Sequence, residues 1–125
     1  MVELKVGLEG VATTLVTNAN IAKTMKSGAL PVFATPAMCA LMEEAACVAV
    51  AEALEEGMGT VGISLNISHD RASGLGENIT AKAILTEVQG RKLCFMVEAS
   101  DNKGSIGKGQ HERFIINNEK FMNNL

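Results

Sequence analysis

PVFATPAMCALMEEAA, residues 31–46, is the stretch on which the fold turns. Pro31 and Pro36 each disfavour helix in the residue before them, so residues 29–34 are expected to run extended. Thr35 followed by Pro36 has the form of an N-cap with proline at the first helical position, and predicts a helix from residue 36 to about 56. Up to Ala51 every residue of that helix except Pro36, Glu43 and Glu44 is Ala, Val, Leu, Met or Cys. A helix apolar nearly all round must be wrapped by other structure. Gly57 supplies a left-handed end, with Gly59 just beyond it. Two carboxylates in such a helix are costly unless paired or used, which makes them the first place to look for function. Helix neighbours point about 100° apart, so one of the two, Glu44, is assigned to solvent.

Outward from the helix the pattern changes to strands. Residues 10–17 (GVATTLVT) are rich in β-branched side chains, and residues 20–26 fit one or two helical turns before Ser27-Gly28. In residues 60–68 (TVGISLNIS) Val61, Ile63, Leu65 and Ile67 alternate with Gly62, Ser64, Asn66 and Ser68, which predicts a half-buried strand. Three further β-like runs follow at 77–89, 92–100 and 105–117. They are separated by Gln89-Gly90-Arg91 and Asp101-Asn102-Lys103-Gly104, both with hairpin chemistry, so an antiparallel meander is the economical connection. One strand, one long buried helix and four more strands make an α+β fold whose antiparallel sheet wraps one central helix, the hotdog arrangement.

The chain has 125 residues, 47% hydrophobic and 20% charged, which fits a single domain over 1–125. A net charge of −3, with no Trp or Tyr, offers neither the basic footprint nor the stacking platforms of a nucleic-acid binder. The start, MVELKVGLEG, lacks the long apolar run of a signal peptide or membrane helix, so a soluble cytoplasmic protein with no membrane partner is expected. Cys39, Cys47 and Cys94 are odd in number and lack CxxC spacing. Each reads as a small buried hydrophobe, with Cys39 a minor candidate because it is near Glu43.

VFATPAMCALMEEAA, the later VGISLNISHDRAS and the near-terminal GKGQHERFIIN together resemble the hotdog thioesterases of the fluoroacetyl-CoA thioesterase-like family. The resemblance implies an acyl-CoA thioesterase in which Thr35, Glu43 and His69 occupy the family's catalytic threonine, glutamate and histidine positions. It also implies a homodimer, its two sheets joined edge to edge and its acyl-CoA sites at the subunit interface. The His-x-Arg-Phe run falls within the resemblance and makes Arg113 the residue chosen to pair with an acid near the site or to contact coenzyme A.

These residue types suit thioester hydrolysis, which needs an attacking group, a base, and donors for the oxygen that becomes negative. Glu43 is either the base or a direct nucleophile. His69 titrates near neutrality and can orient water or protonate the leaving thiolate. Thr35 bonds the substrate or Glu43, and Gly62 allows close approach of the thioester. Each has a plainer reading beside it: Thr35 as an ordinary helix cap, His69 as a loop histidine bonded to Asp70 or Ser68, His111 and Arg113 as a cross-strand polar pair. Arg71, Lys103 and Lys108 lie near turns and are either phosphate contacts or simply solvated. No HExxH or comparable pattern is present, so no metal is expected, and no cofactor beyond the coenzyme A of the substrate itself. Phe33, near the expected entrance, is the only aromatic there, which favours a short or medium aliphatic acyl group. Two other functions fit the same fold: a non-catalytic acyl-CoA sensor, which need not keep Glu43, and a 3-hydroxyacyl thioester dehydratase with a different acid and base placement.

Overall fold

The computed structural model describes residues 2–125. Strand β1 (Glu9–Leu15) is followed by the single turn α1 (Ala22–Met25) and the long helix α2 (Thr35–Val50). Strands β2 (Met58–His69), β3 (Asn78–Gln89), β4 (Lys92–Asp101) and β5 (Gly104–Asn117) follow, then the short helix α3 (Asn118–Asn123). One antiparallel five-stranded sheet in the order β1-β3-β4-β5-β2 curls around α2, as the hotdog arrangement requires.

The meander holds for β3, β4 and β5, which are joined by tight turns whose Gly90 and Gly104 have φ of 61° and 135°. It does not extend to β2, which pairs with β5 at the far edge instead of with β3. Strands β3 and β4 carry the deepest side chains, Ile79, Ala81, Ala83 and Leu85 on one and Leu93, Phe95, Val97 and Ala99 on the other, so they occupy the middle of the sheet. No residue of β2 is buried, and it takes an edge. The loop from Asp70 to Glu77 crosses one end of the sheet to reach β3, held by Asp70 N–H and Arg71 N–H bonds to Ile106 O.

Helix α2 points Met38, Leu41, Met42, Ala45, Ala46, Ala49 and Val50 into the sheet. Burial of each Met, Leu or Val contributes about 1.5–3 kcal/mol. Strand β1 crosses so closely that a Cβ on Gly10 would run into the backbone of Ala45 and Ala49, which explains the glycine there. The opposite face of α2 is not covered by the described residues: Ala40, Glu44, Cys47 and Val48 are exposed. Glu44 is thus where the sequence put it. The cysteines are not, since Cys47 is exposed and Cys39 and Cys94 are only partly covered.

The helix also ends sooner than its composition suggests. After Val50 the chain tightens into a 3-10 turn, Ala51–Ala53, a frequent way for an α-helix to finish. Gly57, at φ 83°, serves the turn into β2 instead of capping α2. At the other end the N-cap is Ala34, without any side-chain cap, and Thr35 is already helical.

Candidate active site

Freed from capping, the Thr35 hydroxyl lies 2.7 Å from His69 Nδ1. Two elements create this meeting: Thr35 opens α2, and His69 is the last residue of β2. Thr35 is presented by a short extended segment whose backbone is pinned on both sides, with Phe33 N–H bonded to Ser73 O and Ala34 N–H to Asn20 O. A cavity of about 290 Å³ opens beside the pair, lined among others by Ala22, Val32, Phe33 and Ala72. Phe33 is 2% exposed and forms wall, not entrance.

Burial lowers the His69 pKa below its usual 6.5, against an opposing pull from Asp70 and a backbone hydrogen bond at Arg71. The imidazole is therefore neutral at pH 7. Assigning Nδ1 as the acceptor of the Thr35 hydroxyl, the direction a general base requires, puts the ring proton on Nε2. Nε2 is itself buried and has no hydrogen-bond partner among the described residues. A hydroxyl donating to a neutral imidazole is the arrangement of an activated nucleophile.

Glu43 belongs to a second cluster. Its Oε2 accepts from Arg113 Nη1 at 3.0 Å and lies 3.8 Å from His111 Nε2. Arg113, with a side chain only 8% exposed, also donates from Nε to Thr60 Oγ1 at 2.8 Å and from Nη2 to Thr60 O at 3.0 Å. His111 is buried and bonded through Nδ1 to Ser64 O, while Arg113 Nη1 lies 3.2 Å from its Nε2. Burial lowers the His111 pKa and the neighbouring Arg113 charge adds to it, so His111 stays neutral and accepts from the guanidinium. The result is a carboxylate aimed by a rigid, charge-assisted fork.

A bulge between Gly62 and Ser64 sets this cluster. It breaks the expected common face of Val61, Ile63, Leu65 and Ile67. Gly62 pairs with Arg113 and faces Glu43, Val61 points the other way across from Phe114, and Ile63 is exposed. A Cβ on Gly62 would lie 2.5 Å from Glu43 Oε2 and 3.3 Å from Arg113 Nη1. Because the carboxylate is the movable end of a side chain, Gly62→Ala is expected to fold normally and yet displace Glu43. Circular dichroism should be unchanged while thioester turnover falls about tenfold or more, the usual cost of a misplaced reacting group.

Within one chain the two clusters do not meet. Thr35 and Glu43 are eight residues apart on α2, about 12 Å along its axis, and neither Glu43 nor Arg113 lines the cavity beside Thr35. A direct Thr35–Glu43 bond, one of the two partners expected for Thr35, is therefore not what forms. Arg71, read as a phosphate contact or a solvated charge, instead pairs with Asp101. Cys39 is no nucleophile, since burial and the Glu43 charge raise its pKa. Thr60 carried no sequence signal at all, because nothing in a lone strand threonine marks it as an arginine acceptor.

Comparisons with known proteins agree with this fold. The sequence model of the fluoroacetyl-CoA-specific thioesterase family matches residues 16–119. The fluoroacetyl-CoA thioesterase of Streptantibioticus cattleyicolor is 43% identical over 90 residues, which cover 72% of this chain and 65% of that protein, slightly under two thirds of its length. The solved structure of the fluoroacetyl-CoA thioesterase FlK superposes with a TM-score of 0.91 at 33% identity, over 98% of this chain and 96% of that one. A threonine-to-serine variant of FlK in complex with acetyl-CoA gives a TM-score of 0.91 at 32% identity, over 97% and 96% of the two chains. Matched by the family model over most of its length and sharing the fold from end to end, the chain belongs to the fluoroacetyl-CoA-specific thioesterase family.

Proposed function

We propose that this chain hydrolyses a short or medium aliphatic acyl-CoA thioester, as a cytoplasmic homodimer of single-domain subunits that needs no cofactor. The observation that carries the reading is the Thr35–His69 hydrogen bond of 2.7 Å at the wall of a cavity. Thr35 Oγ1 attacks the thioester carbonyl and its proton passes to His69 Nδ1. The coenzyme A thiolate leaves, taking that proton from His69. Water then attacks the threonine ester, giving up a proton to Glu43, which returns it to the departing Thr35 oxygen; the hydroxyl and the carboxylate are both restored and the acid is released. Glu43 is the base for that water: Oε2 is tied to Arg113, and Oε1 receives the proton. Phe33 borders the acyl group, and the Gly62 backbone is the surface the thioester meets, with Arg113 acting through Glu43.

A second copy supplies what one chain separates. Among the described residues strand β2 pairs on one side only, with β5, so its outer edge offers twelve residues of backbone to another strand. Antiparallel pairing of β2 with its copy about an axis at Asn66, with the bulged residue skipped, brings Gly62, and with it Glu43, opposite the partner's His69. The site then holds Thr35 and His69 from one subunit and Glu43 from the other. This also gives the uncovered half of β2 a partner.

The test is thiol release from acyl-CoA esters running from acetyl to decanoyl, with fluoroacetyl and phenylacetyl included, measured from pH 5 to 9 with the mass followed by light scattering. Turnover of the shorter aliphatic esters by a species of two chains is the expected result. The rate should fall on the acid side with a midpoint below 6.5, where His69 gains a proton and loses its capacity as base. Asp70→Asn removes a charge that raises the His69 pKa, so it should move that limb to lower pH. Binding without release from any ester would make the protein an acyl-CoA sensor instead.

A further inference from the structure

At the β4–β5 turn a carboxylate is buried almost completely: the Asp101 side chain is 1% exposed. Its Oδ1 accepts from Arg71 Nη2 at 2.7 Å and from Lys103 N–H at 2.8 Å, and its Oδ2 accepts from Arg71 Nη1 at 3.2 Å and Ser73 Oγ at 2.8 Å. Arg71 Nη2 reaches on to Gly104 O at 3.0 Å. Burial raises the Asp101 pKa, but the Arg71, Lys103 and Ser73 donors outweigh it and hold the carboxyl at about 2. It is an anion throughout the working range of the protein.

What the anion grips is the loop after β2, and that loop touches both halves of the reacting pair. Arg71 is two residues from His69. Ser73 O receives Phe33 N–H at 2.9 Å, and Val32 bridges to Gly74, so the segment that delivers Thr35 is laid against the same loop. Asp101 therefore stands behind two chain segments, one ending in His69 and the other leading into Thr35. A well-packed apolar group would stabilise such a spot at least as well as a buried ion pair. What the charged fork adds is direction, since a bidentate arginine–carboxylate pair fixes the angle as well as the distance of its partners.

We propose that Asp101, acting through Arg71 and Ser73, is a positioning residue that sets the Thr35–His69 hydrogen bond. The inference rests on the reading of that pair as the reacting groups. Arg71 lines the same cavity, so the competing idea is that its guanidinium contacts the substrate directly.

Two variants of the whole chain, Asp101→Asn and Arg71→Met, separate these. The chain has two histidines, so nitrogen-15 NMR of the imidazoles reads each one. In the wild type His69 should show the single Nε2–H tautomer fixed by Thr35, with His111 as the internal control. In either variant His69 is expected to drift towards mixed tautomers while His111 stays put. In thiol release kcat should fall about tenfold with KM within about twofold, the pattern of lost orientation and not of lost binding. If Asp101→Asn does not fold, Arg71→Met still reads the clasp, because its side chain already reaches solvent. Unchanged His69 signals in a folded variant, or a raised KM at constant kcat, would overturn the proposal. A wild type that turns over no ester but whose His69 signals respond to these substitutions supports the clasp while removing the thioesterase reading.

Discussion

Thr35→Ala is expected to lower kcat/KM about 10²- to 10⁴-fold, the range that general acid–base and nucleophilic assistance spans. Its melting temperature should stay within about 2 °C of wild type. The second half of the prediction decides between the two readings of this residue. A true N-cap threonine costs about 1 kcal/mol when truncated, which in a domain of this size lowers the melting temperature by roughly 4 °C. Thr35 caps nothing: the N-cap is Ala34, and the Thr35 hydroxyl is committed to His69. Thr35→Ser keeps the hydroxyl and should retain activity within about tenfold of wild type. Thiol release and a thermal melt on the three proteins suffice. A large thermal loss with turnover intact would return Thr35 to a structural role.

Glu43→Gln should cost at least about 10² in turnover, because an amide of the same shape takes no proton from water. Here some loss of stability is expected as well. The carboxylate is the counter-charge of Arg113, whose side chain is 8% exposed, and an amide oxygen in its place can accept from the guanidinium but cannot neutralise it. Since the Glu43 side chain is itself 42% exposed, solvent screens the pair and the loss is set at about 1 kcal/mol, well below that of a fully buried pair. Arg113→Met leaves the carboxylate in place but unaimed. It should lower kcat as well, and the double variant should be less impaired than the product of the two single effects, because both act on one carboxylate. If Glu43→Gln melts lower yet turns over normally, Glu43 is only the partner of Arg113.

Much of this could be read along the chain because the signals are local. An apolar run interrupted by two glutamates and a proline after a threonine specify where α2 starts, and the β-like runs bounded by glycine turns specify β3, β4 and β5 nearly to the residue, whereas α2 stops short of its expected end. The expectations that failed share one cause: each depended on what lies across space. Local chemistry gives Thr35 a capping role, but the capping position is taken by Ala34 and the hydroxyl meets a histidine from another element. Strict alternation put Val61 with Leu65, and a single bulge residue reversed it. Three cysteines in apolar company read as core, yet one of them lies on the uncovered face of α2.

The buried polar groups were the least legible. His111 and Arg113 could be assigned a common face from their spacing, but not Thr60 as the acceptor that orients the guanidinium. Asp101 looked like a turn residue, and nothing in Asp-Asn-Lys-Gly announces a carboxylate with 1% of its side chain exposed.

By itself the sequence determined the elements other than α3, their order along the chain and the hotdog class, along with the set of polar residues from which a hydrolytic site can be made. Periodicity and turn chemistry act over a few residues and need no knowledge of the rest of the chain. Tertiary structure alone decided which of those polar residues meet: Thr35 with His69, Glu43 with Arg113 and Gly62, Asp101 with Arg71 and Ser73. Those meetings depend on strand order, on one bulge and on the course of one loop. Hydrogen bonds form or fail over fractions of an ångström, a precision that residue type and spacing do not carry.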